Sequence, residues 1–190
     1  LSYRHGLTCD TLERFIKRYL YRDLSLNIND QEVPMSSESA SPRDVIEEFY
    51  GGEPRVSDWV LVEQETIDKF AETTGDFNWI HVDPERSKQE GPFGSTIAHG
   101  FWTMSMCAYF AQQFHDEYFP EGTLFGLNYG LDRVRFMSPV RVGKKIRCTI
   151  SLLDIAYRKH GRYLVKSEYK IEVEDEKKPA MVAQWLIMLA

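Results

Sequence analysis

The chain has 190 residues, 43% of them hydrophobic and 13% aromatic, with a formal net charge of -6. That content builds one buried core, so a single ordinary domain with an appendage is expected. The acidic balance excludes nonspecific nucleic-acid binding, which runs on clustered Lys and Arg.

Three cysteines, Cys9, Cys107 and Cys148, lie far apart without metal-type spacing. An odd, sparse count fits a reducing cytoplasm, and that location is expected. No signal-peptide pattern is seen at the start of the sequence given.

Residues 1–50 are expected to form a helical arm and linker. Leu12, Phe15, Ile16, Tyr19 and Leu20 have helical spacing, with Thr8 or Asp10 as N-cap. Residues 25–40 are polar and read as a linker. Ser41-Pro42 opens a second helix through Val45, Ile46, Phe49 and Tyr50, ended by Gly51-Gly52. The arm is expected to pack on the main domain or on a partner subunit.

The main domain is expected over residues 51–190. Trp59 to Val62 is strand-like, and residues 64–73 form a helix broken at Gly75-Asp76. Residues 77–96 hold Pro84, Gly91, Pro92 and Gly94 and are expected as an irregular loop. The most apolar run, residues 97–114, is interrupted by His99, Gln112 and Gln113. A membrane span needs about 20 mainly apolar residues, so none is expected. The run predicts instead a helix buried on nearly all sides, about 27 Å long at ~1.5 Å per residue. Period-two segments follow at residues 124–136, 145–157, 163–173 and 180–190, with turns at His160-Gly161 and residues 174–178. The fold class is therefore α+β, with an antiparallel sheet wrapped around a long central apolar helix.

Residues 70–100 concentrate the chemistry. Asp76, Asn78 and His81 fall within a few residues, and His99-Gly100 heads the apolar helix. An acid and an imidazole five apart on a turn can face one small molecule, as general acid–base work on a water requires. Each residue also has a plainer reading. Asp76 can be a turn residue, His81 a packed core histidine, and His99 a tether to a backbone carbonyl. Asp83 is expected to cap a turn at Pro84. A metal set of His81, Asp83 and His99 matches on ligand type, but its spacing fits no standard pattern, and no metal is expected. The stripe Phe101, Trp102, Met104, Met106, Tyr109 and Phe110 is core, with Trp102 counted among residues lining a substrate tunnel.

The run Gly75-Asp76-Phe77-Asn78-Trp79-Ile80-His81-Val82-Asp83, followed by Ile97-Ala98-His99-Gly100, resembles the MaoC-like dehydratases, the (R)-specific enoyl-CoA hydratases with a hotdog fold. Asn128 to Phe136 and Pro139-Val140 are closest to the nodulation protein N-like branch. The resemblance covers about residue 56 to the C-terminus. Two departures stand out. Trp79 replaces the Pro of the family's usual Asn-Pro-Leu-His, and an assisting helical serine falls on Ala108, with Ser105 one turn earlier. The resemblance implies Asp76 and His81 as the catalytic pair and the Gly100 amide as oxyanion donor. Asn78, Ile97, His99 and Trp102 are the expected substrate-binding residues.

The implied reaction is reversible hydration of a trans-2-enoyl thioester to the (R)-3-hydroxyacyl thioester. The acyl group rides on coenzyme A or an acyl carrier protein, and no other cofactor is expected. A homodimer with the acyl site near its seam is implied, where Arg133, Arg135, Arg141, Lys144 and Lys145 could meet the phosphates of coenzyme A. A buried carboxylate would serve as a base. Two other functions fit the same residues. One is a hotdog thioesterase in which Asp76 turns water on the carbonyl. The other is a non-catalytic acyl-thioester binding subunit.

Overall fold

The computed structural model describes residues 41–115 and 119–190. The helix expected at residues 8–20 and the linker at 25–40 lie outside the described residues. Residues Ala40–Ala190 form one compact unit.

Helix α1 (Pro42–Tyr50) starts in a reciprocal cap. Ser41 Oγ accepts from the Asp44 N–H, and the Asp44 carboxylate accepts from the Ser41 N–H. Its one buried residue, Ile46, packs with Ile155, Val165 and Leu189. The second helix of the expected arm is thus seated on the sheet.

Short strands β1 (Arg55–Val56) and β2 (Val60–Leu61) both pair antiparallel with the long strand β4 (Lys145–Arg158). Helix α2 (Gln64–Thr74) follows and ends at Gly75, whose φ of 75° is the left-handed conformation a glycine takes without strain. The expected irregular loop in fact contains two short helices, α3 (Trp79–Val82) and α4 (Pro84–Glu90). Capping explains this. Asn78 Oδ1 accepts from the Ile80 N–H, and Asp83 Oδ1 accepts from the Arg86 N–H ahead of Pro84 at the first helical position.

The apolar helix α5 (Gly100–Ala111) is shorter than expected, 12 residues or about 18 Å, with a 3-10 turn at Gln112–Phe114. Ile97 and Ala98 are not helical. Ile97 bridges to Arg141, and the Ala98 N–H donates to the Val140 carbonyl at 2.7 Å. Nor is α5 buried all round: Trp102, Thr103, Cys107 and Phe110 are buried, but Phe101 is 68% and Tyr109 50% exposed.

Four long strands complete the domain: β3 (Gly126–Phe136), β4 (Lys145–Arg158), β5 (Arg162–Val173) and β6 (Met181–Leu189). The sheet order is β1-β4-β5-β6-β3, all pairs antiparallel, so β3 lies at an edge against β6 and not beside β4. His160 and Gly161, at φ 64° and 72°, make the β4–β5 turn. Ladder register shifts at Asn128/Gly130 and Asp132/Arg135 interrupt β3. The sheet packs on α5 through Ile146, Cys148, Ile171, Met181 and Ala183 against Trp102, Cys107 and Phe110. This seats the N-terminus of α5 beside the α2–α3 turn. Among the described residues, no helix is long and apolar enough to cross a membrane.

Candidate active site

Three elements meet at the start of α5. Gly75 turns the chain so that Asp76 follows α2, the cap at Asn78 starts α3, and α3 carries His81 inward. His81 and His99 are buried, and their rings stack with centroids 3.9 Å apart and planes at 29°. The Phe70 ring lies tilted beside His99, 5.1 Å between centroids and planes at 49°. One donor atom from each of Asp76, His81 and His99 lies within 4.8 Å of the others.

The hydrogen bonds assign the tautomers. Backbone carbonyls only accept, so His81 Nδ1–H donates to the Ile97 carbonyl at 2.7 Å. His81 Nε2 then keeps its lone pair. Likewise His99 Nε2–H donates to the Asp76 carbonyl at 3.0 Å. Among the described residues, that leaves His99 Nδ1 buried without a partner. Burial holds the His81 pKa below its ordinary value of 6.5; the Ile97 bond opposes this, the His99 charge adds to it, and Asp76 opposes it.

Asp76 is exposed, so the buried carboxylate expected from the sequence is not found. A water making two hydrogen bonds of about 2.8 Å spans up to about 5.6 Å. Separations of no more than 4.8 Å among the three donor groups are therefore within the span of one bridging water. The metal set foreseen with Asp83 is not formed, because Asp83 caps α4. The observed Asp76–His81–His99 set suits an ion poorly. One nitrogen of each imidazole is already committed to a backbone carbonyl, His81 Nδ1 to Ile97 and His99 Nε2 to Asp76, so each ring has only its other nitrogen to offer.

A cavity of about 320 Å³ opens beside His81, lined also by Phe93, Gly100, Thr103, Phe136 and Val140. Gly100 takes the first position of α5, where an N–H has no acceptor within the helix and forms part of the positive end of the dipole. A methyl added at Gly100 would lie 3.4 Å from the Phe136 ring, so the glycine keeps this wall open.

The remaining expected residues divide by place. Asn78 spends its side-chain oxygen on the α3 cap and gives its N–H to Asp76 Oδ1 at 3.4 Å. Ile97 presents its carbonyl to His81 and also lines the cavity. Trp102 is 5% exposed, within the core cluster and outside this cavity wall. Ser105 Oγ donates back to the Trp102 carbonyl at 2.8 Å, and Ala108 lies farther along α5. Three of the five cations expected to meet phosphate are engaged: Arg141 with Glu176, Lys144 with Asp175 and Lys145 with Glu174. Burial pushes the Cys107 thiol up to about 12 and the Cys148 thiol up as well, so neither is a nucleophile at neutral pH.

Sequence reasoning missed Gln64. Its Nε2 donates to the His81 carbonyl and to Asp68, both at 2.7 Å, while its Oε1 accepts from the Thr96 hydroxyl. One side chain thus ties α2, α3 and the strand-like segment before α5. Phe136 was missed as well. Gln64 had no sequence signal beyond its place in a helix, whereas Phe136 closes the Asn128–Phe136 run that carried the resemblance without being singled out as a site residue.

The family profile described as a MaoC like domain matches residues 46–175. The chain is 43% identical over 139 residues to the nodulation protein N of Rhizobium leguminosarum bv. viciae, covering 73% of this chain and 85% of that one. It is 44% identical over 131 residues to the 3-hydroxyacyl-thioester dehydratase Z of Mycobacterium tuberculosis, covering 69% of this chain and 84% of that one. Among solved structures, the (R)-hydratase from A. caviae superposes with a TM-score of 0.57 at 19% identity, over 72% of this chain and 94% of that one. That likeness establishes the hotdog fold.

Proposed function

From the premise that this chain belongs to the MaoC-like dehydratase family, we propose that it reversibly hydrates trans-2-enoyl thioesters to (R)-3-hydroxyacyl thioesters. The observation that carries this is the grouping of Asp76, His81 and His99 donor atoms within 4.8 Å of one another, next to the Gly100 cavity. A curated relative at 44% identity, named as a 3-hydroxyacyl-thioester dehydratase, supports it.

Each residue then has a stated task. The Asp76 carboxylate accepts one hydrogen of a water, and His81 Nε2 accepts the other. As the water oxygen bonds to C3, His81 takes that proton. The C2=C3 electron pair moves toward the thioester, whose oxygen gains negative charge. The Gly100 N–H and the start of α5 receive that charge; one such donor is worth roughly 3 kcal/mol in comparable sites. The imidazolium then returns the proton to C2, and His81 is neutral again. Dehydration is the same path reversed. The Ile97 carbonyl holds the His81 tautomer, His99 anchors the Asp76 turn, and Asn78 supports it.

The acyl group is carried on coenzyme A or an acyl carrier protein. The protein is proposed to act in the cytoplasm as a homodimer. Edge strand β3 exposes Leu127, Tyr129 and Phe136, the kind of apolar edge that a second copy would cover. Residues 1–50 are proposed as an N-terminal helical arm and linker, and residues 51–190 as the hotdog domain.

The test is incubation with crotonyl-CoA, following enoyl absorbance and free thiol together. Loss of absorbance without thiol, giving the (R) alcohol, is expected. Thiol release at the rate of absorbance loss would instead identify a thioesterase.

A further inference from the structure

A second cavity, about 310 Å³, lies at the other end of α5. Its walls are Ala108, Ile150, Tyr169, Trp185 and Ile187, closed by Phe49 of α1. Ala108 is eight residues beyond Gly100, about 12 Å along the helix. Into this apolar space Arg55 brings a half-buried guanidinium.

The partners of that guanidinium are all neutral. Nη1 donates to His115 Nε2 at 2.7 Å, and Nη2 donates to the Phe49 carbonyl at 2.7 Å. Among the described residues no carboxylate pairs with it. The His115 ring stacks flat on Phe49, centroids 3.7 Å apart and planes at 14°. Burial first, and the Arg55 charge second, pull the His115 pKa down to about 4, so the imidazole is uncharged at neutral pH. Among the described residues, the cavity wall therefore holds one permanent positive charge and no counter-charge. A half-buried cation whose described partners are all neutral keeps its charge open to an incoming anion. The flat, forked donor suits a carboxylate.

We propose that this cavity binds a carboxylate on an apolar body, held by Arg55. The ligand is either a free acid or the ω-carboxylate of an acyl thioester. The second source rests on the function proposed above; the first does not.

Calorimetric titration of the full chain tests it, in two arms. The first compares octanoate with octanamide. The second compares a saturated ω-carboxyacyl-CoA with its methyl-ended counterpart, neither of which can react. The expected result is a preference for the carboxylate of about 10-fold or more in at least one arm, the scale of a charged hydrogen bond. Preference in the first arm alone identifies the free acid, and in the second the thioester tail. Arg55→Gln is expected to abolish the preference and leave binding of the neutral ligand intact. Equal or absent binding within both pairs in the wild-type protein overturns the proposal, and that comparison needs no variant to fold. Failure of the hydratase reading would show as no turnover of crotonyl-CoA, which leaves these ratios unaffected.

Discussion

The two ends of α5 carry the same side chain in nearly the same setting and put it to opposite use. Each end has a half-buried or buried imidazole beside a cavity of about 310–320 Å³, and at each end burial lowers its pKa. The difference is the partner. At the N-terminal end His81 meets a carbonyl, which can only accept, so its Nε2 lone pair stays available. At the C-terminal end His115 meets a guanidinium, which can only donate, so its Nε2 lone pair is occupied. Burial alone makes an imidazole neutral, and the neighbour decides whether neutrality yields a base. The helix dipole adds to the contrast, since only the N-terminal end favours the negative charge of a developing oxyanion.

Removing the base should break the comparison hardest. His81→Gln and Asp76→Asn are each expected to lower kcat for crotonyl-CoA hydration by at least ~100-fold, the lower range for acid–base groups. The double variant should fall little further, because both groups hold one water. Initial rates at saturating substrate decide this, and a loss under tenfold in either single variant would remove that residue from the chemistry. At the other end the expected effect is on stability. Ile46→Ala should lose about 2 kcal/mol or more in urea unfolding, because it removes the only buried anchor of α1. A near-neutral result would mean that α1 is an appendage rather than part of the domain. Smaller still is His99→Asn, which cuts the tether to the Asp76 carbonyl while sparing His81. A kcat loss of about tenfold is expected, with thermal stability measured alongside to separate positioning from unfolding.

The N-terminal end was legible in the sequence because its chemistry is local. Asp76, Asn78 and His81 lie on one turn, and His99-Gly100 opens the next apolar helix. The alternation survives in the burial of most of β5 and of the first residues of β4 and β6, where one face packs on α5. What was lost depends on distant partners. The start of α5 was misplaced because Ile97 and Ala98 continue the apolar pattern, yet their backbones are held by Arg141 and Val140 some forty residues away. Gln64 looks like an ordinary first-turn residue until His81 and Thr96 are brought to it. Arg55 and His115 are 60 residues apart and carry no motif, so nothing local marks the C-terminal cavity.

Acid should sharpen the contrast with the smallest perturbation. Both histidines have folded-state pKa values below 6.5, His81 by direction and His115 down to about 4. Above 6.5 each is neutral in the folded and unfolded chain alike and adds no pH dependence. Below 6.5 the unfolded chain takes up the proton first, so stability falls with pH until the folded pKa is passed. For His115 that window runs from 6.5 to about 4, and His115→Gln should flatten the urea-unfolding slope across it. Activity should respond to His81 instead. The acid limb of kcat/KM is expected below 6.5, and His99→Asn should move it upward, because a like charge that lowers the His81 pKa is gone. Should His115→Gln shift that limb as far as His99→Asn does, the two ends of α5 would be coupled, and the division of labour argued from their partners would fail.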